Sequence, residues 1–373
     1  MKILVVSHAC VVDVNQRVYR ELELMGHEVV LVVPDRWRHQ YSAGDIHPRS
    51  LTGLRGPLVP LAVWNPGSVP LHCYLSRTGP ILGRFAPDVL YVEEEPYSIA
   101  ALQWVRGGSR LRLRTMFFTA QNIPKRHPLP FRLLERYVWA HSSAGVCATA
   151  SVVQALGMRG YRGKVSIVPY PVDVSRFRPG LRDAALGNGL GLRSKTVAYL
   201  GRLVEQKGVR VLLEAYGKLP GREATTLLCI GGGPLGAECR AQPGVVVVEG
   251  VTHAKVPEYL ALADLLVLPS LTTSRWQEQF GRAAIEAMAC GLPVIGSDSG
   301  EIPNVVNGAA GGVIVPEGDV KALAEAMASL IGDANARQRL GDMGREHVRR
   351  NYSTPIVAGR LAAALSSVEE ETG

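Results

Sequence analysis

The spacing of apolar and polar positions changes twice within the first forty residues. Residues 2–7 form a short β-branched run, 15–25 place apolar residues at helical intervals, and 28–33 form a second apolar run that stops at Pro34. This pattern predicts strand, helix, strand. Two nearly continuous apolar strands joined by a helical connection of about a dozen residues must be linked by a crossover, so they are expected to be parallel with helices on both faces. The same punctuation at 88–92, 114–119 and 145–148 extends one doubly wound sheet to about residue 170.

The segment 165–174 reads as a last strand running into an extended connector, because Pro169 and Pro171 drive the residues before them away from helix. The alternation then restarts. Strands are predicted at 197–200, 226–230, 245–248, 265–268, 294–297 and 312–315, with helices at 208–217, 257–262, 282–289 and 319–330. The expected fold class is α/β, with two doubly wound Rossmann-like domains facing across a cleft. The N-terminal domain is placed at 1–171 and the C-terminal domain at 172–354, with a helix over 355–371 packing back on the first. Open parallel sheets bind ligands at the carboxyl ends of their strands, so chemistry is sought in those loops.

Composition narrows the classes. At 47% hydrophobic and 20% charged over 373 residues, disorder and collagen-like repeats are excluded. Six cysteines without a CxxC pair, and no secretory leader pattern at Met1, point away from a disulfide framework and toward the cytoplasm. Two stretches free of Asp, Glu, Lys and Arg, 56–76 and 137–158, are broken by prolines or by polar residues and do not read as membrane spans. Charge is uneven: residues 1–180 hold 22 Lys/Arg against 12 Asp/Glu, while 181–373 hold 19 against 21. The first half is therefore the one expected to approach an anionic partner, such as the inner face of a membrane in a peripheral mode. Residues 124–139 mix cations, aromatics and leucines on a predicted helix, as an interfacial anchor does. Nucleic acid is not expected, since no aromatic stacking pattern or recognition helix accompanies the basic residues.

Chemistry concentrates in the second half. After strand 197–200 come Gly201, Arg202 and, before a predicted helix, Lys207. A glycine turn, a guanidinium fork and an ammonium beside a helix N-terminus together suit a diphosphate. Farther on, Glu278 falls in the loop before the helix 282–289, while Glu286 lies inside that otherwise apolar helix. A carboxylate there needs hydrogen-bond donors, which two ribose hydroxyls or a basic neighbour can supply. Gly231-Gly-Gly-Pro-Leu-Gly236 formally satisfies a dinucleotide fingerprint, but the eight residues before Val245 leave no room for its crossover helix.

Glu278-Gln-Phe-Gly281, Glu286-Ala-Met-Ala-Cys-Gly-Leu-Pro-Val294, Gly201-Arg-Leu203 with Lys207-Gly208, Gly231-Gly-Gly-Pro234 and Ser299-Gly-Glu-Ile-Pro303 stand in one order and spacing. In this the chain resembles the GT-B retaining glycosyltransferases of family 4. The resemblance implies a metal-independent hexosyltransferase that uses a nucleoside-diphosphate sugar, UDP- or GDP-linked, as co-substrate and has no cofactor. It places Arg202 and Lys207 on the diphosphate and Glu286 on the ribose. Glu278 and the backbone of Gln279, Phe280 and Gly281 meet the sugar, with Gly201 in the turn and Gly250 and Val251 at the base. The implied acceptor is a hydroxyl on a glycan, a lipid-linked molecule or a small molecule. A nucleotide-sugar epimerase or hydrolase of the same fold is the alternative.

The first half departs from the family pattern. The loop after strand one is Ser7-His-Ala-Cys-Val-Val-Asp-Val-Asn15, without the usual Gly-Gly, and Phe117-Phe-Thr-Ala-Gln-Asn122 brings amides where a histidine is common. His8, Glu95, Gln121 and Asn122 are the acceptor-side candidates, with His127 as a further one for acceptor activation. Glu93, Glu94 and Glu95 close a strand, as acceptor ligands, as partners of Arg202 or as a solvated acidic loop. No Asp-x-Asp motif or histidine–carboxylate cluster indicates a metal.

Overall fold

The computed structural model describes residues 1–38 and 44–367; the last part of the expected helix, 368–371, lies outside the described residues. The chain forms two compact units, one running from Met1 to Pro169 and joined by the segment from Thr354 onward, the other from Tyr170 to Ser353.

The first unit is built on a parallel sheet of β1 (Lys2–Val6), β2 (Glu28–Pro34), β3 (Leu58–Leu61), β4 (Val89–Val92), β5 (Arg114–Thr119), β6 (Ala144–Cys147) and β7 (Val165–Ile167). Their order across the sheet is β7-β6-β5-β4-β1-β2-β3. In the second unit β8 (Lys195–Leu200), β9 (Thr225–Ile230), β10 (Val245–Val248), β11 (Leu265–Leu268), β12 (Val294–Ser297) and β13 (Gly312–Val315) are ordered β10-β9-β8-β11-β12-β13, again all parallel. Both sheets are doubly wound, and in each the winding reverses beside the first strand, at β1–β4 and at β8–β11. Those strands are buried from end to end apart from their first or last residue, as strands covered on both faces must be.

Of the helices, α1 (Arg17–Leu24), α2 (Leu129–Ala140), α3 (Val209–Gly217), α4 (Arg282–Ala289), α5 (Ala334–Asn351) and α6 (Thr354–Ser366) matter most here. The helix α6 lies against α1 and buries Val357, Ala358, Leu361, Ala364 and Leu365 in the core that also holds Val18 and Leu22. Burying the Val and the two Leu side chains alone is worth roughly 5–9 kcal/mol at about 1.5–3 kcal/mol each, an upper bound because the unfolded chain already hides some of that surface.

Several elements are additions to the sequence reading, and two of them bear on the packing. The edge strand β3 falls inside a proline-broken stretch, and its register pairs Pro60 with Val33 at the rim of the sheet, where a missing N–H costs least. The helix α5 was not expected at all. Among the described residues, no helix is long and apolar enough to cross a membrane.

Candidate functional site

At the reversal point of the second unit, the loops after β8 and β11 are tied together. The Leu271 N–H donates to the Gln206 carbonyl at 2.9 Å. Gly208, with φ of +69°, packs so closely that a Cβ would stand 1.7 Å from the Pro269 carbonyl oxygen. No other residue fits that approach. It delivers Lys207 to Glu278: Nζ donates to Oε2 at 2.5 Å, and Ser270 Oγ donates to the same oxygen at 3.0 Å. The ammonium also lies 5.0 Å from the Trp276 ring centre. The Glu278 carbonyl accepts from the Glu301 N–H at 3.1 Å, which fastens the loop to the one after β12.

The helix α4 starts just beyond. Its N-cap is Gly281, which has no side chain to satisfy the N–H groups of the first turn, so that end can receive an anion or a sugar oxygen. The Phe280 ring is buried between Tyr170 and Tyr352, at 5.4 and 5.6 Å, and anchors the Gln279–Gly281 backbone. One turn into α4, Glu286 is 8% exposed, and His253 Nε2 donates to its Oε1 at 2.9 Å. His253 packs on Phe177 at 5.3 Å, and its buried Nδ1 has no hydrogen-bond partner among the described residues. Gly250 and Val251 lie in the same loop, with open space around the Gly250 Cα. Gly201 donates to the Ile230 carbonyl at 3.0 Å, and the Arg202 carbonyl accepts from Tyr199 Oη at 2.6 Å, which fixes the backbone from which the Arg202 fork extends.

In the first unit the reversal point is lined by Ser7–Cys10 after β1 and Glu93–Glu95 after β4. The three glutamates are not a solvated loop: Glu94 is buried and the others are half-buried. Glu95 accepts from Thr119 Oγ1 at 2.7 Å and from the Ala120 N–H at 2.9 Å. Glu94 accepts from the His8 N–H at 2.8 Å through Oε1 and pairs with His8 Nδ1 at 2.5 Å through Oε2. Burial pushes the Glu94 carboxyl up, but His8 and His72 overcome it and hold it at about 2. Burial lowers His8, and the attraction of Glu94 outweighs it, so His8 is raised above its ordinary value. Gln121 and Asn122 are both buried, and Gln121 Oε1 accepts from the Ile123 N–H at 3.3 Å, which spends part of its capacity on the loop. His127 stacks on Tyr97 with ring centres 4.1 Å apart.

The structure thus brings Lys207 to Glu278, and His8 to Glu94. It adds two histidines that sequence reasoning missed. His253 stands two residues beyond Val251, but the reading of that loop rested on backbone contacts alone. His72 is 22 residues before Glu94 and 64 after His8, so no local spacing reveals the group His8, His72 and Glu94, whose ligand-type atoms lie within 4.8 Å of one another. The expectation that no histidine–carboxylate cluster is present is corrected here; the fold assembles it from three separate segments.

The Lys207–Glu278 contact and the bare N-terminus of α4 lie within one stretch that has known relatives. Residues 187–347 match the family model of glycosyl transferases group 1. Among curated relatives, the D-inositol 3-phosphate glycosyltransferase of Corynebacterium jeikeium is 28% identical over 60% of this chain and 58% of its own length. The GDP-mannose-dependent alpha-(1-6)-phosphatidylinositol monomannoside mannosyltransferase of Mycobacterium tuberculosis is 32% identical over 55% of this chain and 57% of its own. The match thus spans little more than half the length of these relatives. Among solved structures, Anabaena HepE in complex with UDP superposes with a TM-score of 0.75 at 16% identity, covering 98% of this chain and all of the other. That likeness establishes the fold, which is GT-B.

Proposed function

We propose that the chain transfers a sugar from a nucleoside-diphosphate sugar to a hydroxyl acceptor with retention at the anomeric carbon, in the manner of family 4. The observation that carries this reading is the Lys207–Glu278 pair beside the uncapped start of α4, with Glu286 one turn further on. Leaving-group departure puts negative charge on the diphosphate, and Arg202, Lys207 and the helix N–H groups are already in place to stabilise it. On binding, Lys207 exchanges Glu278 for phosphate, and Glu278 turns to the sugar hydroxyls with the backbone of Gln279 to Gly281. Glu286 and His253 hold the ribose, and Gly250 and Val251 border the base. No residue is assigned a covalent role. Acceptor contacts fall to His8, Glu95, Gln121 and Asn122 in the first unit. With charge supplied by side chains, the diphosphate needs no magnesium.

The names of the relatives favour a GDP-linked donor and an acceptor carrying an inositol phosphate or its lipid form. A membrane-borne acceptor also fits α2. Leu129 and Leu133 are 59% and 56% exposed, one turn apart, next to exposed Lys125, Arg126 and Arg136. Thermal-shift screening with UDP-, GDP- and ADP-sugars, followed by radiolabel transfer with and without phosphoinositide lipid extract, tests the reading. Stabilisation by one sugar nucleotide and label in the lipid or glycan fraction support it. Label released only as free sugar, or strict dependence on Mg²⁺, overturns it. For the membrane contact, Leu129→Asp with Leu133→Asp is expected to weaken binding to anionic vesicles at least tenfold; equal binding of the wild type to neutral vesicles counts against it.

A further inference from the structure

The group His8, Glu94 and His72 belongs to the first unit, and neither the proposed donor contacts nor the family motifs use its geometry. His72 is fully buried, and its Nδ1 lies 3.1 Å from the carbonyl oxygens of both Ser68 and Val69. That contact holds one proton on Nδ1 and leaves Nε2 as the nitrogen that takes a second cation, a proton or a metal ion; it has no hydrogen-bond partner among the described residues. Glu94 Oε1 lies 3.5 Å from Nε2. A lone pair facing a carboxylate oxygen in a dry interior repels it, so a cation belongs between them.

A proton on Nε2 is the smaller of these cations and the one that helps hold Glu94 low in the metal-free protein, but the 3.5 Å gap is wider than the roughly 2.8 Å of a closed N–H···O⁻ contact and has room for a larger ion. The observed gap has another meaning. Two ligands about 2.1 Å from a tetrahedral zinc ion lie roughly 3.4 Å apart. His8 completes the set from the solvent side: its side chain is 21% exposed, and its Nδ1, which shares a proton with Glu94 Oε2 at 2.5 Å in the metal-free protein, gives up that proton and draws back by about 1 Å to take the ion. The ring is held by Trp37, with centres 4.7 Å apart, and Trp37 also meets His72 edge-on at 4.9 Å. A donor nitrogen whose other ring N–H is tied to backbone carbonyls is the usual outer support of a metal-bound histidine. Buried Tyr74 Oη, on a ring beside His72, is likewise without a partner among the described residues.

We propose that His8, His72 and Glu94 bind one divalent transition-metal ion, of which zinc is the representative. Two imidazoles and one carboxylate select such an ion over magnesium or calcium, which take oxygen ligands. Three protein ligands leave a coordination position open on the His8 side, where a water or another oxygen ligand completes the sphere. His8, His72 and Glu94 are all residues of the first unit, whereas the residues proposed to hold the diphosphate all belong to the second, so this inference stands or falls without the transferase reading.

The test uses the untagged full chain, stripped with chelator and titrated with Zn²⁺ alone. Calorimetry and elemental analysis are expected to find one ion per chain with a dissociation constant at or below about a micromolar. His72→Gln and His8→Gln are each expected to weaken binding about 100-fold or more, since loss of outer support alone costs about 10–100-fold. In parallel, Co²⁺ bound to the wild type reports coordination directly, independent of how any variant folds. Visible d–d bands of a four- or five-coordinate nitrogen–oxygen site support the proposal. No binding by the wild type, an octahedral aquo-like cobalt spectrum, or unchanged affinity in folded His72→Gln overturns it.

Discussion

At the scale of single residues, the second unit holds its charges in pairs that a ligand can exchange. On the proposed reading Lys207 exchanges only a carboxylate for phosphate, so the cost of desolvating it is already met in the free protein. Lys207→Ala is expected to lower kcat/KM about 10²–10³-fold, the size of one oriented donor lost at a developing charge. Steady-state rates with the sugar nucleotide found by screening measure it, and a fall below tenfold removes Lys207 from the diphosphate. His253→Ala leaves the Glu286 carboxylate without its donor, and calorimetry is expected to find nucleoside diphosphate bound about tenfold more weakly. His127 gives a pH signature. Burial and the nearby Arg159 and Lys125 depress it to about 4. Its folded pKa lies below the unfolded value of about 6.5, so its contribution to stability is present above pH 6.5 and fades as pH falls toward 4. NMR titration of the ring is expected to find it neutral at pH 5.5; a midpoint near 6.5 contradicts the packing. Arg202 and Glu278 could be singled out as candidates because each sits in a local motif, a glycine turn after a strand and the loop before a helix. His72 and His253 stand in no such motif, and only the fold shows that each meets a carboxylate.

Among elements, legibility follows how burial is achieved. The strands of the second unit could be read because each is an unbroken apolar run ended by glycine, proline or a polar residue. The helix α5 escaped because its inward face is made of Gly341, Gly344 and Val348, with few large side chains to mark a period. It packs by close backbone approach: a Cβ at Gly341 would stand 2.1 Å from the Gly291 carbonyl oxygen. Gly341→Ala is expected to destabilise the unit by roughly 1–3 kcal/mol, as overpacking does. Helical Gly332, with nothing within 4 Å, is the control. Gly332→Ala is expected to leave stability equal or raise it by up to about 1 kcal/mol. Chemical denaturation of both variants checks this, and equal midpoints count against tight α4–α5 packing. The edge strand β3 escaped for another reason: prolines that exclude a central strand are tolerated on a rim.

The whole molecule repeats one plan twice: a doubly wound sheet whose winding reverses beside its first strand, with its polar side chains gathered at that point. This much follows from period and punctuation alone. The pairing of α6 with α1 does not, since a short alanine- and leucine-rich helix fits many surfaces equally well. Ending the chain after Ser353 removes Val357, Leu361 and Leu365 from the first core. A truncated protein is therefore expected to melt in two steps, the first unit well below the second, while nucleotide stabilisation of the second persists. Calorimetric scans with and without nucleoside diphosphate measure both steps, and a single unshifted transition argues that α6 adds little.

Because α6 is translated only after the entire second unit, the half of the protein that leaves the ribosome first is the last to be finished. At about 5–20 residues per second, its apolar seam beside α1 stays uncovered for some 9–37 seconds while residues 170–353 are made.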